Sequence, residues 1–207
     1  MATLIDVIVE TGEHSSVWEV LRRHGIVPAD EGESDPSSLP EFLLVRCTPS
    51  LGNLGVPQFA EELSRELGTM VLAMALQTAA SVAEIVHYDA GVVMRRLQYS
   101  GEEGSLVCDG EVQQWEPAVF FDPEGSATDD ERPWPDTLWD ELSDEDLQRY
   151  EEAREQGRVS EVMDILHLES MSSVIRAHEF FGLRHDKPHG RYAPPSKWRW
   201  WQSLLKR

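Results

Sequence analysis

Between Thr69 and Ser100 three strand-like runs follow one another almost without pause: Met70 to Gln77, Ser81 to Tyr88 and Val92 to Tyr99. A small-residue step separates the first two, and Asp89-Ala90-Gly91 separates the last two. Connections this short permit only tight reversals, so two antiparallel hairpins are predicted. Met70 to Leu76 also accommodates a helix, because Met, Leu and Ala favour one and a continuing helix would cross Gly68 at a cost of only about 1 kcal/mol. Asp109-Gly110 as a turn, with β-favouring Val107, Val112 and Trp115, predicts one more hairpin edge.

Ahead of this sheet, Leu4 to Val9 is short and rich in Ile and Val, which predicts a strand buried on at least one face. Ser16 and Glu19 have capping-box spacing and Gly25 closes the segment, so a helix with Val17, Trp18 and Leu21 inward is expected. Ala29 to Ser38 is acidic and turn-rich, the composition of a solvated connection. Phe42 to Cys47 predicts a second strand. Pro57 then opens a helix in which Phe59, Ala60, Leu63 and Leu67 recur at helical spacing before Gly68.

Composition shifts after Phe121. From Asp122 to Glu169 the chain carries 17 Asp or Glu against 4 Arg and no Lys. Pro123-Glu124-Gly125 to Pro133-Trp134-Pro135 reads as a connector. Ser143 with Asp146 repeats the capping spacing and Gly157 closes that helix; Val162 to Leu168 and Val174 to Phe181 predict two more, the last ended by Gly182. The expected fold class is α+β, a mainly antiparallel sheet with packed helices over 1–121, followed by an acidic helical region over 122–207 with a basic aromatic tail. One continuous domain is equally compatible with 207 residues.

Charge narrows the partners. The chain carries a formal −20, which opposes nucleic acid and anionic membrane surfaces. Arg176 to Arg207 reverses that sign, with eight Lys or Arg against Glu179 and Asp186. In the tail, Trp198, Trp201 and Leu205 share one helical stripe among cations, a segment able to dock on an acidic body, within one chain or across a homodimer. Cys47 and Cys108 stand without a metal-ligand spacing, no cofactor fingerprint is present, and no apolar run approaches the roughly 20 residues of a membrane span. A cytoplasmic setting is expected.

Chemistry-bearing residues are few. His178, His185 and His189, with Asp186 between, form the best candidate metal set, although Pro188 opposes a helical His-x-x-x-His pair and the glutamate of HExxH is absent. With His87 they define a small metal-assisted hydrolase as one alternative. Gly52-Asn53-Leu54-Gly55 offers backbone amides to an anion without any accompanying phosphate-loop lysine. The exposed acids Asp144, Glu145 and Asp146, with Trp134, Trp139, Trp198 and Trp201 as aromatic anchors, define a partner-binding surface as the other.

His87-Tyr88-Asp89-Ala90-Gly91, Arg95 to Ser100, Gly110-Glu111, Gln114-Trp115-Glu116 and Phe120-Phe121 together resemble small bacterial α+β proteins of unassigned function, some of them immunity proteins encoded beside polymorphic toxins. The resemblance covers about a third of the chain and carries no catalytic residue over. It implies a non-enzymatic acidic inhibitor of a basic toxin or nuclease. A self-associating structural or regulatory subunit is the remaining alternative.

Overall fold

The structure, a computed structural model, describes residues 3–12, 17–29, 39–48, 56–101, 105–121, 143–166 and 171–192. Its centre is β1 (Thr3–Glu10), five of whose eight residues are buried. Side chains alternate across a strand, so Leu4, Asp6 and Ile8 face one side while Ile5, Val7 and Val9 face the other. Both sides are covered, and two separate apolar clusters result. A strand buried on both faces reads as a continuous apolar run, and Asp6 is the one charge inside it.

Neighbouring strands β3 (Phe42–Cys47) and β4 (Met70–Gln77) flank β1, each antiparallel to it. β5 (Val82–Asp89), β6 (Val92–Ser100) and β7 (Ser105–Gly110) extend the sheet as an antiparallel meander. Ala90 and Gly91, at φ 48° and 80°, make the two-residue reversal expected between β5 and β6. Two three-residue strands complete the other edge: β8 (Gly190–Tyr192) runs parallel to β3 and antiparallel to β2 (Ile26–Pro28). The order is β2-β8-β3-β1-β4-β5-β6-β7, an eight-stranded, mostly antiparallel sheet of an α+β protein.

Helices α1 (Val17–Arg23) and α2 (Phe59–Leu67) cover the face of Val7. In α2, Phe59, Ala60, Leu63 and Leu67 are buried while Glu61, Glu62, Arg65 and Glu66 stay exposed, the stripe its spacing predicted. The opposite face lies under α3 (Glu116–Phe120), α4 (Asp144–Glu155) and α5 (Met171–Phe180). Trp115, Phe120, Tyr150, Val162 and Ala177 pack there with Ile8, Leu72 and Leu97 in one cluster. Residues on both sides of the compositional break at 121 thus share a core.

Several expectations need correction. Asp109 and Gly110 do not form a hairpin turn; they end β7, paired with Arg96 and Arg95. Trp115 is not in a strand but precedes α3, where burial against Phe120 outweighs its β propensity. Val162 begins no helix: a 3-10 turn over Val159–Glu161 buries Val159, and 162–165 continue as turns. Pro57 sits ahead of the helix cap Gln58 rather than inside α2. The short strands β2 and β8 were not anticipated. The Ser16 cap, the Gly52–Gly55 loop, the acidic connection over 30–38, the Pro-rich connector and the tail lie outside the described residues.

One buried ion pair ties β6 to α3. Arg95, 3% exposed, donates from Nε and Nη2 to the two oxygens of Glu116, 0% exposed, at 3.1 and 3.0 Å. Its Nη1 reaches the carbonyl of Gly110 at 2.8 Å, and the Gln113 amide donates to Glu116 Oε1 at 2.6 Å. Gly110 itself is constrained: at φ +87° a Cβ would stand 2.1 Å from the Met94 carbonyl oxygen. Gly110→Ala should therefore lower stability by about 2 kcal/mol or more, since backbone must move and the φ is strained as well. Urea denaturation measures it, and a loss below about 0.5 kcal/mol would show that the β6–β7 register is not held there.

Candidate functional site

In the register of β1 and β3, Asp6 stands directly opposite Arg46. Facing antiparallel residues have Cβ atoms about 5 Å apart, within reach of a two-pronged contact. Arg46 Nε donates to Asp6 Oδ1 at 3.0 Å and Nη2 to Oδ2 at 2.9 Å. Asp6 is fully buried, whereas the Arg46 side chain is 31% exposed. Of the pair, the guanidinium and not the carboxylate meets solvent.

Helix α5 supplies the roof. Its C-terminal end is closed by Gly182 in the left-handed region, φ 68°. The Gly182 amide donates to the Glu179 carbonyl at 3.0 Å and the Leu183 amide to the His178 carbonyl at 2.8 Å, the paired bonds of a Schellman closure. This reversal carries the following loop back over the sheet. There the Arg46 Nη2 donates to the carbonyl of His185 at 2.9 Å. His178, on the last turn of α5, lies fully buried with Nε2 3.4 Å from Asp6 Oδ2. That contact lacks hydrogen-bond geometry, leaving His178 Nε2 a buried nitrogen without a hydrogen-bond partner.

The second ring completes the group. His185 Nδ1 is 3.3 Å from His178 Nδ1 and 3.4 Å from Arg46 Nη2. The two imidazoles stack, with centroids 5.3 Å apart and planes at 18°. Asp6, His178 and His185 each bring one potential ligand atom within 4.8 Å of the others. Burial pushes the His178 pKa down to about 4, with Asp6 opposing and His185 and Arg46 reinforcing that shift. The Asp6 hydrogen bonds raise the Arg46 pKa against desolvation. Cys47, buried on the other face, is pushed up to about 12, chiefly by burial, and is a poor nucleophile there.

No family model, no curated protein and no solved structure matches the chain.

Of the residues singled out from sequence, His178 and His185 meet, while His189 does not join them: its Nδ1 accepts the Leu44 amide at 3.1 Å and its own amide donates to the Leu44 carbonyl at 2.8 Å. His87 lies in β5, its Nδ1 3.4 Å from the Trp115 indole nitrogen and its pKa lowered by burial. Asp144 and Glu145 are exposed at the first turn of α4, and Asp146 is half-buried beside Arg149 at 3.4 Å. The Ser143 hydroxyl accepts the Asp146 amide at 3.2 Å, as its spacing predicted. Trp134, Trp139, Trp198 and Trp201 lie outside the described residues.

Sequence reasoning missed Asp6 and Arg46. Each is a charge interrupting an apolar strand, and opposite charges in two such strands are a signal for a buried pair. Beside the site, a cleft of about 1070 Å³ is walled by Trp18, Phe42, Phe181, Arg184, Lys187 and Arg191. Asp6, Arg46, His178 and His185 are not among its walls. No helix among the described residues is long and apolar enough to cross a membrane.

Proposed function

We propose that the protein is a non-enzymatic binding protein whose acidic surface engages a basic protein, as an immunity-type inhibitor covers the active site or nucleic-acid groove of a toxin or nuclease. Helix α4 carries this reading. It buries only Tyr150 and Ala153, while Asp144, Glu145, Glu151, Glu152 and Glu155 all face solvent. With six acids against Arg149 and Arg154 the helix is predominantly acidic, and such a face steers a partner of opposite charge and excludes others.

A second surface supports protein contact. Val92, Val93 and Met94 are three consecutive exposed apolar residues at the start of β6, and Val112 is exposed after β7. The buried cluster favours the same reading over hydrolysis, since Asp6 and His178 are fully buried and neither faces the cleft. A substrate has no approach to them among the described residues.

The test is Asp144→Lys, Glu145→Lys and Glu152→Lys combined in one variant, compared with the natural protein for what each retains from host-cell extract at low salt. The natural protein should hold a basic protein in stoichiometric amount and release it at high salt. Against that purified partner the variant should associate about tenfold more slowly or worse and lose most of the salt dependence. Unchanged association kinetics, or a retained partner that is not basic, would remove the acidic face from the interaction.

A further inference from the structure

We propose that Asp6, His178 and His185 bind one divalent transition-metal ion of the zinc class, which pins the C-terminal end of α5 to the central strand of the sheet. This goes beyond partner binding, and its failure would leave that reading untouched. The first observation is the unused nitrogen. His178 Nε2 is completely buried and has no hydrogen-bond partner, a deficit that a buried polar atom does not carry without cost. It is aimed at a carboxylate oxygen 3.4 Å away without forming a hydrogen bond to it.

Spacing is the second. Around a tetrahedral ion with bonds of about 2.0–2.1 Å, neighbouring ligand atoms stand about 3.3 Å apart. The Asp6–His178 edge at 3.4 Å already has that length. One donor atom from each of the three residues lies within 4.8 Å of the others; His185 Nδ1 now faces His178 Nδ1 at 3.3 Å, so the His185 ring must shift toward the Asp6 side of His178 to close the remaining edges. His185 sits on a loop and is half-buried, which permits this adjustment.

The donor set selects the ion. Two imidazoles and one carboxylate suit zinc, cobalt or nickel, not magnesium or calcium, which require more oxygen ligands. Arg46 occupies one lone-pair direction on each oxygen of Asp6, and a carboxylate oxygen has two. It therefore orients the ligand from outside, as metal sites commonly arrange, and its charge opposes the incoming ion. Its 31% exposed side chain marks the entry path. Three protein ligands leave the fourth tetrahedral position to a water molecule, and the burial of Asp6 and His178 limits what else can reach it.

Cobalt(II) is the probe. The purified full-length chain, stripped with chelator and dialysed against Co²⁺, should take up one ion per chain with the strong visible bands of tetrahedral coordination, and zinc should displace it. Thermal unfolding should shift upward with metal. His185→Gln, at a half-buried loop position where folding is retained, should weaken binding at least tenfold and abolish the bands and the thermal shift; His178→Gln should do the same. His189→Gln, outside the cluster, should leave binding unchanged. No stoichiometric Co²⁺ in the natural protein, or binding of equal strength in His185→Gln, would overturn the site and assign any uptake to surface acids or other histidines.

Discussion

Arg95→Met is expected to cost about 3–5 kcal/mol of folding stability, because it strands a fully buried carboxylate that the guanidinium now neutralises. The Gly110 carbonyl loses a donor in the same step. Burial already holds the Glu116 pKa above the ordinary carboxylate value, against the pull of the Gln113 amide and Arg95. Without Arg95 that upward push is unopposed by any cation in contact, so Glu116 escapes the penalty by taking a proton. A carboxylate whose folded pKa is raised contributes stability below its unfolded pKa and loses it as pH rises through the folded value. The defect of the variant should therefore be largest at neutral pH and shrink toward pH 4.5. Urea denaturation at several pH values measures both features. A loss under 1 kcal/mol at neutral pH would mean that water reaches Glu116. Replacing both partners by apolar residues of similar volume should restore much of the loss, since the pair offsets its own desolvation more than it adds.

The second large effect is a pH dependence owed to His178, measured in chelator so that no metal competes. Its folded pKa is about 4 against an ordinary value of 6.5. The unfolded chain thus binds a proton that the folded chain refuses between those values. Stability should be full above about pH 6.5, fall as pH drops through the window, and level off below about 4, for a total near 3 kcal/mol. His178→Leu should flatten this segment of the profile while leaving the carboxylate-driven losses at lower pH. An unchanged slope between pH 6.5 and 4 in that variant would place the proton uptake on another group.

Much of the sheet was legible because its strands are long enough for alternation to speak. β5 and β6 and the turn between them follow from period and turn chemistry, and Gly68 ended α2 where expected; Met70 to Leu76 was open between strand and helix, because β4 is buried on both faces and does not alternate. The strands β2 and β8 were not legible, since three residues carry no period and their existence rests on β8 returning from far along the chain to stand between β2 and β3. Trp115 misled for a related reason: propensity favours a strand, but burial beside Phe120 decides. The candidate site was half legible. Histidine spacing drew attention to His178 and His185, yet proximity in sequence also enlisted His189, which the chain reversal at Gly182 and the pairing with Leu44 carry elsewhere. Asp6 lies 172 positions from His178, a separation that no local pattern spans.

The placement of β8 between β2 and β3 has a consequence for synthesis. These two strands leave the ribosome early, but the three residues that join them are Gly190 to Tyr192. Until those arrive, β3 presents Val45 to Cys47 as an open edge without its β8 partner. The outer edge of β3 is therefore closed only late in synthesis. The N-terminal half of the nascent chain must be kept from pairing with other chains until nearly all of the described sequence has emerged, and closure across so long a loop makes that last step a slow one. An interrupted or clipped chain lacking β8 would be an aggregation hazard rather than a smaller working protein.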